Sequence, residues 1–352
     1  MKKPFIIALT LTAFLSACSF QGDAQWIQTN DPYGNVRALA VSGTNLFAGT
    51  DDGVFLSTNN GRSWSALNTG LTNSTVHALA VSGTNLFAGT QWGGVFRSTN
   101  NGTSWSAVGL TSSYVYALAV SGTNLFAGTD GGIFRSTNNG ASWSAVGLNS
   151  SVLAVSANAF AVSGTNLFAG TLVRGVFLST NNGTSWSPVN TGLTNLDVFA
   201  LAVSGTNLFA GTGGRVFLST NGGTSWSAVN TGLNSGAVYA LAVSGTNVFA
   251  GGDGGVFLST NSGTSWSAVN AGLTNHYVRY VFALAVSGTN LFAGTNVGVW
   301  RRPLSEMVTS VQPSAGEPPV AFRLEQNYPN PFNPGTTIKF SCGRLFSLNI
   351  GP

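Results

Sequence analysis

A nine-residue string, Val-Ser-Gly-Thr-Asn-(Leu/Val)-Phe-Ala-Gly, occurs seven times in this chain, beginning at Val41, Val81, Val120, Val162, Val203, Val243 and Val286. Successive copies are spaced 40, 39, 42, 41, 40 and 43 residues apart. A period of this size belongs to repeat architectures, in which one unit cannot bury its own apolar faces and must pack on its neighbours. Between the copies a second string, Ser-Thr-Asn-x-Gly-x-Ser-Trp, recurs six times and ends at Trp64, Trp105, Trp143, Trp186, Trp226 and Trp266.

Each unit reads as four strands. In the second unit, Val76 to Val81 forms strand A, and Gly83-Thr84-Asn85 turns it into strand B, Leu86 to Gly89. A loop over Thr90 to Gly94 leads to strand C, Val95 to Thr99, and the Asn-Asn-Gly-Thr segment turns the chain into strand D at Trp105. The Asn side chain suits backbone amides two residues on, and Gly supplies the positive φ of a tight hairpin. The Trp is expected to bury its ring and hold the outer strand against its sheet. Seven such units are expected to close radially into a propeller. The seventh copy has strands A to C over Val281 to Arg302 but no following Trp string. Gln25 to Asn30 supplies what is missing, since Trp26 precedes Val41 by 15 residues, the interval that separates Trp105 from Val120. The expected fold is therefore an all-β, seven-bladed propeller over residues 25–302, its last blade closed by the N-terminal strand.

The second string resembles the Asp-box (BNR repeat), Ser-x-Asp-x-Gly-x-Thr-Trp, of sialidases, xyloglucanase-type glycosidases and photosystem II assembly-factor propellers. This chain carries Asn for Asp and Ser for Thr, and both replacements can build the turn. In those families the box lies between strands C and D, away from the ligand face, so the resemblance implies fold and not activity.

Composition narrows the partners. Only 7% of residues are charged, so Ser, Thr, Asn and Gly must form the surface. With Lys2 and Lys3 set aside, the formal excess falls from +4 to +2, and no basic run occurs. Nucleic acid and an anionic membrane surface are therefore not expected partners. A monomer is expected.

The N-terminus (1–24) reads as an export signal, with Lys2 and Lys3 before an apolar stretch from Phe5 to Ala17. Two exits compete: Leu15-Ser16-Ala17-Cys18 resembles the bacterial lipobox, which implies lipid on Cys18, while Gly22 and Ala24 fit ordinary cleavage before Gln25. The only other cysteine is Cys342, and no disulfide is expected. Eight of the eleven prolines lie from Pro303 onward, so 303–321 reads as a linker. From 322 to 352, the segment around Asn327-Tyr-Pro-Asn-Pro-Phe-Asn-Pro334 resembles the opening of the C-terminal sorting domain of type IX secretion cargo in Gram-negative bacteria. That resemblance implies a secreted or surface protein and the type IX machinery as partner. Here the match stops short of the family's later strands, and a lipidated Cys18 sits poorly with such cargo, which favours cleavage before Gln25.

The sialidase chemistry needs a Tyr–Glu pair, yet no glutamate occurs between Gln25 and Arg302, which excludes it. A two-carboxylate glycosidase would have to draw on loop aspartates, with Asp52 and Asp130 the pair to test. Asp51, Asp52, Asp130 and Asp253 all fall on B–C loops, where Asp also simply suits a Gly-rich turn. His77 and His276 are far apart with no Cys or acidic partner at ligand spacing, so neither a metal nor another cofactor is expected.

What varies between the repeats points to a face. The A–B and C–D turns keep one length, whereas the B–C loops of blades 2 and 4 and the D–A connections before Val162 and Val286 are longer. These loops are expected on one face, which presents Trp92, Arg174, Arg215, Tyr277, Arg279 and Tyr280 as a candidate ligand surface. The second position of strand A also varies near that rim: Arg37, His77, Tyr116, Asn158, Phe199, Tyr239 and Phe282. Arg97 and Arg135, which replace Leu on strand C, are expected to face solvent. The functional expectation is a non-enzymatic module that binds glycan or protein through this face, with a polysaccharide hydrolase as the alternative.

Overall fold

The structure is a computed structural model that describes residues 25–111, 113–147, 155–273, 278 and 280–308, and the strands Thr336–Ser341 and Leu345–Ile350. One compact unit spans Ala24–Val308. It contains seven four-stranded antiparallel sheets, each ordered A-B-C-D from the inside outward. In the first blade these strands are Val36–Ser42, Asn45–Thr50, Gly53–Ser57 and Ser65–Ala66. Each A strand lies against the A strands of both neighbours, and the ring closes where Val281–Ser287 meets Val36–Ser42. The seventh sheet takes its outer strand from Ile27–Gln28, with Ile27 opposite Arg301 and Gln28 opposite Trp300.

The core lies between the blades. Seven clusters of buried apolar residues are each shared by two adjacent blades. Phe47 and Val54 of the first blade, for instance, pack with Val76, Leu86 and Phe96 of the second. No blade covers its own faces, so stability comes from stacking neighbours. The repeated Ala-Gly of strand B allows the closest approach. A Cβ on Gly49 would stand 2.7 Å from Val76 Cγ1, and one on Gly128 would stand 2.2 Å from the Ala157 carbonyl oxygen.

The C–D turn is built the same way six times. Ser57 Oγ accepts from Gly61 N at 2.8 Å, and Asn59 Oδ1 accepts from Ser63 N at 2.9 Å. The Asn therefore reaches the amide four residues on, not two as the turn chemistry alone predicted. Asn60 and Gly61 both take positive φ, of 62° and 75°, the conformation that favours Asn-Gly in tight hairpins.

Five of the six Trp residues that follow these turns hydrogen-bond to the preceding blade instead of only holding their own outer strand, while Trp186 donates to Gly183 in its own turn. Trp105 Nε1 donates to the Leu67 carbonyl of the preceding blade at 2.7 Å, and Trp226 and Trp266 repeat this at Val189 and Val229. Trp26 does the same across the closure, donating to Val269 at 2.6 Å. Arg97 and Arg135, partly exposed as expected of solvent-facing groups, also bridge blades. Their Nη1 atoms donate to the Asn139 and Asn182 carbonyls in the next blade's C–D turn, at 3.1 and 2.8 Å. Arg301 makes the equivalent bond to Asn60 across the closure.

The seventh blade has no C–D box. Arg302 occupies the register of the box serine, opposite Leu291, and its Nη1 donates to the same Val269 carbonyl as Trp26. Pro303 still belongs to strand C, and the short helix Ser305–Val308 follows it, with Met307 buried against this blade pair. In the second unit, Thr336–Ser341 and Leu345–Ile350 form an antiparallel hairpin. Cys18, the export segment and the Asn327 to Pro334 string lie outside the described residues.

Candidate functional site

All seven A strands carry the same irregularity. Val36 pairs with Thr50 and Ala38 with Gly49, which leaves Arg37 as one extra, unpaired residue, a β-bulge. The same shift leaves out His77, Tyr116, Asn158, Phe199, Tyr239 and Phe282 in the other blades. A bulge bends its strand and re-aims a side chain, and here it does so at the one strand-A position whose chemistry changes from blade to blade. Its partners hardly vary: the residue before is Val in six blades, and the residue after is Ala in all seven.

The seven bulge residues line a cleft of about 370 Å³ at one end of the central channel, together with Tyr114, Ser156 and Leu172. A second cavity of about 210 Å³ continues inward along the Ala and Leu residues that follow each bulge. The cleft end is the face of the B–C and D–A loops, because in six blades the first residue of the B–C loop bonds back to the end of its D–A connection. Examples are Gln91 N to Thr75 O and Asp130 N to Tyr114 O.

Two aromatic walls stand across the mouth. On one side Tyr114 stacks on Tyr116 with centroids 4.2 Å apart, and its phenolic oxygen lies 2.7 Å from His77 Nε2. On the other, Tyr239 contacts Phe199 at 5.4 Å and Phe282 at 6.0 Å. Arg37 stands between the walls, its guanidinium carbon 5.7 Å from the Phe282 centroid. Its Nε is held 2.8 Å from Asp51 Oδ1, while Asn35 Nδ2 donates to Asp51 Oδ2 at 2.6 Å.

Burial dominates the titration of the walls. It lowers the His77 imidazole to about 4, helped by the nearby Arg37 charge and opposed by a bond with Gln91. Burial also raises the Tyr114 and Tyr116 phenols, and it pushes Tyr239 up to about 12 together with a hydrogen bond to Asp253. For Asp51 burial acts upward, but the bonds from Arg37 and Asn35 outweigh it and hold the carboxyl below its usual range. At neutral pH the cleft thus presents a neutral imidazole, neutral phenols and one guanidinium.

The loop residues singled out from the sequence form an outer tier on the same face. Trp92 is 56% exposed and meets Tyr114 edge-on at 5.5 Å. Tyr280 is 39% exposed and stacks on Phe282 at 5.7 Å. Arg174 is half-buried and Arg215 exposed on their B–C loops, and neither lines the cleft. Tyr277 and Arg279 lie outside the described residues. Tyr114 and Ser156, which the sequence did not mark, stand in the cleft because each ends a D–A connection beside strand A.

The longer B–C loops of blades 2 and 4 accommodate their extra residue in the left-handed region, at Trp92 (φ 62°) and Val173 (φ 61°). That conformation is unusual for bulky or β-branched residues. The loop aspartates act as acceptors for the frame. Asp130 Oδ1 takes the Tyr114 amide at 3.2 Å, and Asp253 Oδ2 takes the Ala237 amide at 3.0 Å. Asp52 is exposed, with its amide on Thr50 Oγ1. Among the described residues no group of three His, Cys, Asp or Glu is placed to hold a metal ion, and no helix is long and apolar enough to cross a membrane.

Comparison with known proteins places the fold. Residues 24–170 match the family described as the DUF6242 beta propeller domain. No curated protein matches the chain. Among solved structures, the extracellular domain of the putative hybrid two component system BT3049 from B. thetaiotaomicron is similar at a TM-score of 0.69 and 15% identity, covering 90% of this chain and 48% of its own. The GH74 xyloglucanase from Xanthomonas campestris is similar at 0.66 and 18%, covering 80% and 54%. YCF48 bound to D1 peptide is similar at 0.63 and 16%, covering 80% and 97%. The chain therefore spans about half the length of the two component system and xyloglucanase chains it resembles. This is a seven-bladed β-propeller. At these identities the likeness is one of fold, shared by extracellular domains of two component systems, a peptide-bound protein and a xyloglucanase.

Proposed function

We propose that this protein is an exported recognition module that holds a glycan or protein ligand on its B–C and D–A loop face, at the mouth of the channel. The observation that carries this reading is the ring of bulges: seven near-identical blades differ at the single strand position that feeds one cleft. A scaffold without a ligand has no physical need for Arg, His, Tyr, Asn and Phe at equivalent unpaired positions. The extracellular domains among the similar structures agree with export. The same reading treats the six Ser-Thr-Asn turns as Asp-box variants and the Asn327 to Pro334 string as part of a type IX sorting signal. Hydrolysis by Asp52 and Asp130 draws no support from the site, because Asp130 serves as an acceptor for the loop backbone and the cleft lining contains no carboxylate.

The test is binding of the purified full chain to a polysaccharide and glycan array, with Tyr116→Ala and Tyr239→Ala for the cleft and Trp92→Ala and Tyr280→Ala for the rim. Loss of binding in the cleft or rim variants, each checked for folding, supports the reading. If the folded protein binds no sugar, the search moves to protein partners with the same variants. Binding left unchanged in all four sinks the loop-face reading.

A further inference from the structure

We propose that the cleft receives a carboxylated sugar, a uronic-acid unit of an acidic polysaccharide, with its carboxylate on Arg37 and its ring between the aromatic walls. This inference rests on the recognition reading above and names its ligand class. Arg37 is the one charged residue among those that line the cleft; its partner Asp51 is not part of the lining. Asp51 engages Nε, so the two terminal nitrogens of the guanidinium are left to face a ligand. Presented end-on, they match the two oxygens of a carboxylate, and a guanidinium already held by a carboxylate and an aromatic ring loses little freedom on binding. A carboxylate on those nitrogens would be closer to the guanidinium than to Asp51, so attraction exceeds repulsion.

The rest of the cleft is neutral and suits a ring. Tyr116 and Tyr239 line the cleft with aromatic rings whose hydroxyls are held by Ser156 and Asp253, and Asn158 on the fourth blade adds an amide on the far side of the channel from Arg37. Apolar C–H faces with a polar rim are what a pyranose offers to such walls. The volume of about 370 Å³ falls in the size class of small-molecule sites, roughly 300–1,000 Å³. A protein partner would instead need about 800 Å² of contact surface per side. No second cation is among the residues that line the cleft; Arg174 and Arg215 belong to the outer tier.

The experiment is calorimetric titration of the full chain with oligogalacturonate, oligomannuronate and hyaluronan oligosaccharides, each beside its carboxyl-reduced form. The expected result is that one acidic series binds at least tenfold more tightly than its reduced counterpart. That difference should weaken with added salt, disappear in Arg37→Gln and persist in part in Arg37→Lys. Equal affinity for an acid and its reduced form overturns the inference while leaving glycan recognition intact, since both forms then bind through the walls. Binding of neutral glycans alone overturns it in the same way. If no sugar of either kind binds the folded chain, this inference fails, and the recognition reading then depends on a protein ligand. The comparison of acid with reduced form uses the unmutated protein, so a folding defect in Arg37→Gln cannot mask the answer.

Discussion

Tyr114 and His77 meet across the boundary between the second and third blades, with the phenolic oxygen 2.7 Å from Nε2. Burial keeps the phenol protonated and the imidazole neutral, so which of the two donates follows from the imidazole tautomer. Protonation of His77 would make Nε2 a donor in either case and place a cation near Arg37.

The first prediction follows from that pair. The His77 pKa is lowered from 6.5 to about 4 in the folded chain, so the unfolded chain binds more protons between these values. Its contribution to stability is present above pH 6.5 and declines as pH falls toward 4. NMR titration should place the His77 midpoint near 4, and His77→Gln should flatten this part of the curve of melting temperature against pH. A midpoint near the ordinary histidine value would show that the ring is not buried as described.

Tyr239 should titrate late. Its phenol is pushed up to about 12 by burial and by Asp253, so its contribution to stability is present below pH 10 and is lost as pH rises through 12. Ultraviolet titration of wild type and Tyr239→Phe should differ by one late phenol, and Asp253→Asn should bring that step to lower pH. An unchanged late step in the Asp253 variant would remove the carboxylate as a cause.

Blade contact makes the strand-B glycines unequal. A Cβ at Gly128 would stand 2.2 Å from a backbone oxygen, whereas at Gly49 it would meet the Val76 side chain at 2.7 Å. A backbone oxygen can yield only if the whole inner strand shifts. Gly49→Ala is expected to cost roughly 1–3 kcal/mol, and Gly128→Ala more than that, by urea denaturation. Equal costs would mean that the blades slide apart freely.

Ring closure should depend on Trp26. Its buried ring and its bond to Val269 tie the N-terminal strand to the sixth blade. Trp26→Ala is expected to cost about 3–5 kcal/mol, the range for a buried Trp. The half-buried Trp143 should cost less when truncated. Denaturation midpoints of the two variants decide the order.

Val173 adopts φ 61° in an exposed loop, a conformation that costs a β-branched residue about 1–2 kcal/mol. Val173→Gly should therefore raise the melting temperature, and Val173→Ala should not. A lower melting temperature in the glycine variant would mean that the Val side chain contributes more than the strain removes.

Fold was legible in the sequence because it is written locally and repeatedly. The Ser-Thr-Asn turn, the Trp after it and the alternating strand residues each specify a short piece of backbone, and seven near-identical pieces admit one closed ring. Even the closing strand was readable, since Trp26 precedes Val41 by the interval another blade uses. The site was legible only in part. Length changes drew attention to Trp92 and Tyr280, which stand at the rim, and blade-to-blade variation marked the seven strand-A residues that line the cleft, but not that they are bulges, and not Tyr114 beside them. A register shift leaves no mark of its own in the sequence; it arises when strand A must pair with strand B and still pack its Val against the neighbouring blade's Gly. Which side chains meet likewise depends on closure, because Arg37, Tyr116 and Tyr239 come from the first, third and sixth blades and share a cleft only once the ring is complete. The repeat alone determined seven blades and their turns. Only the tertiary structure, through packing between blades, decided that seven unpaired side chains converge on one aromatic cleft with a single guanidinium.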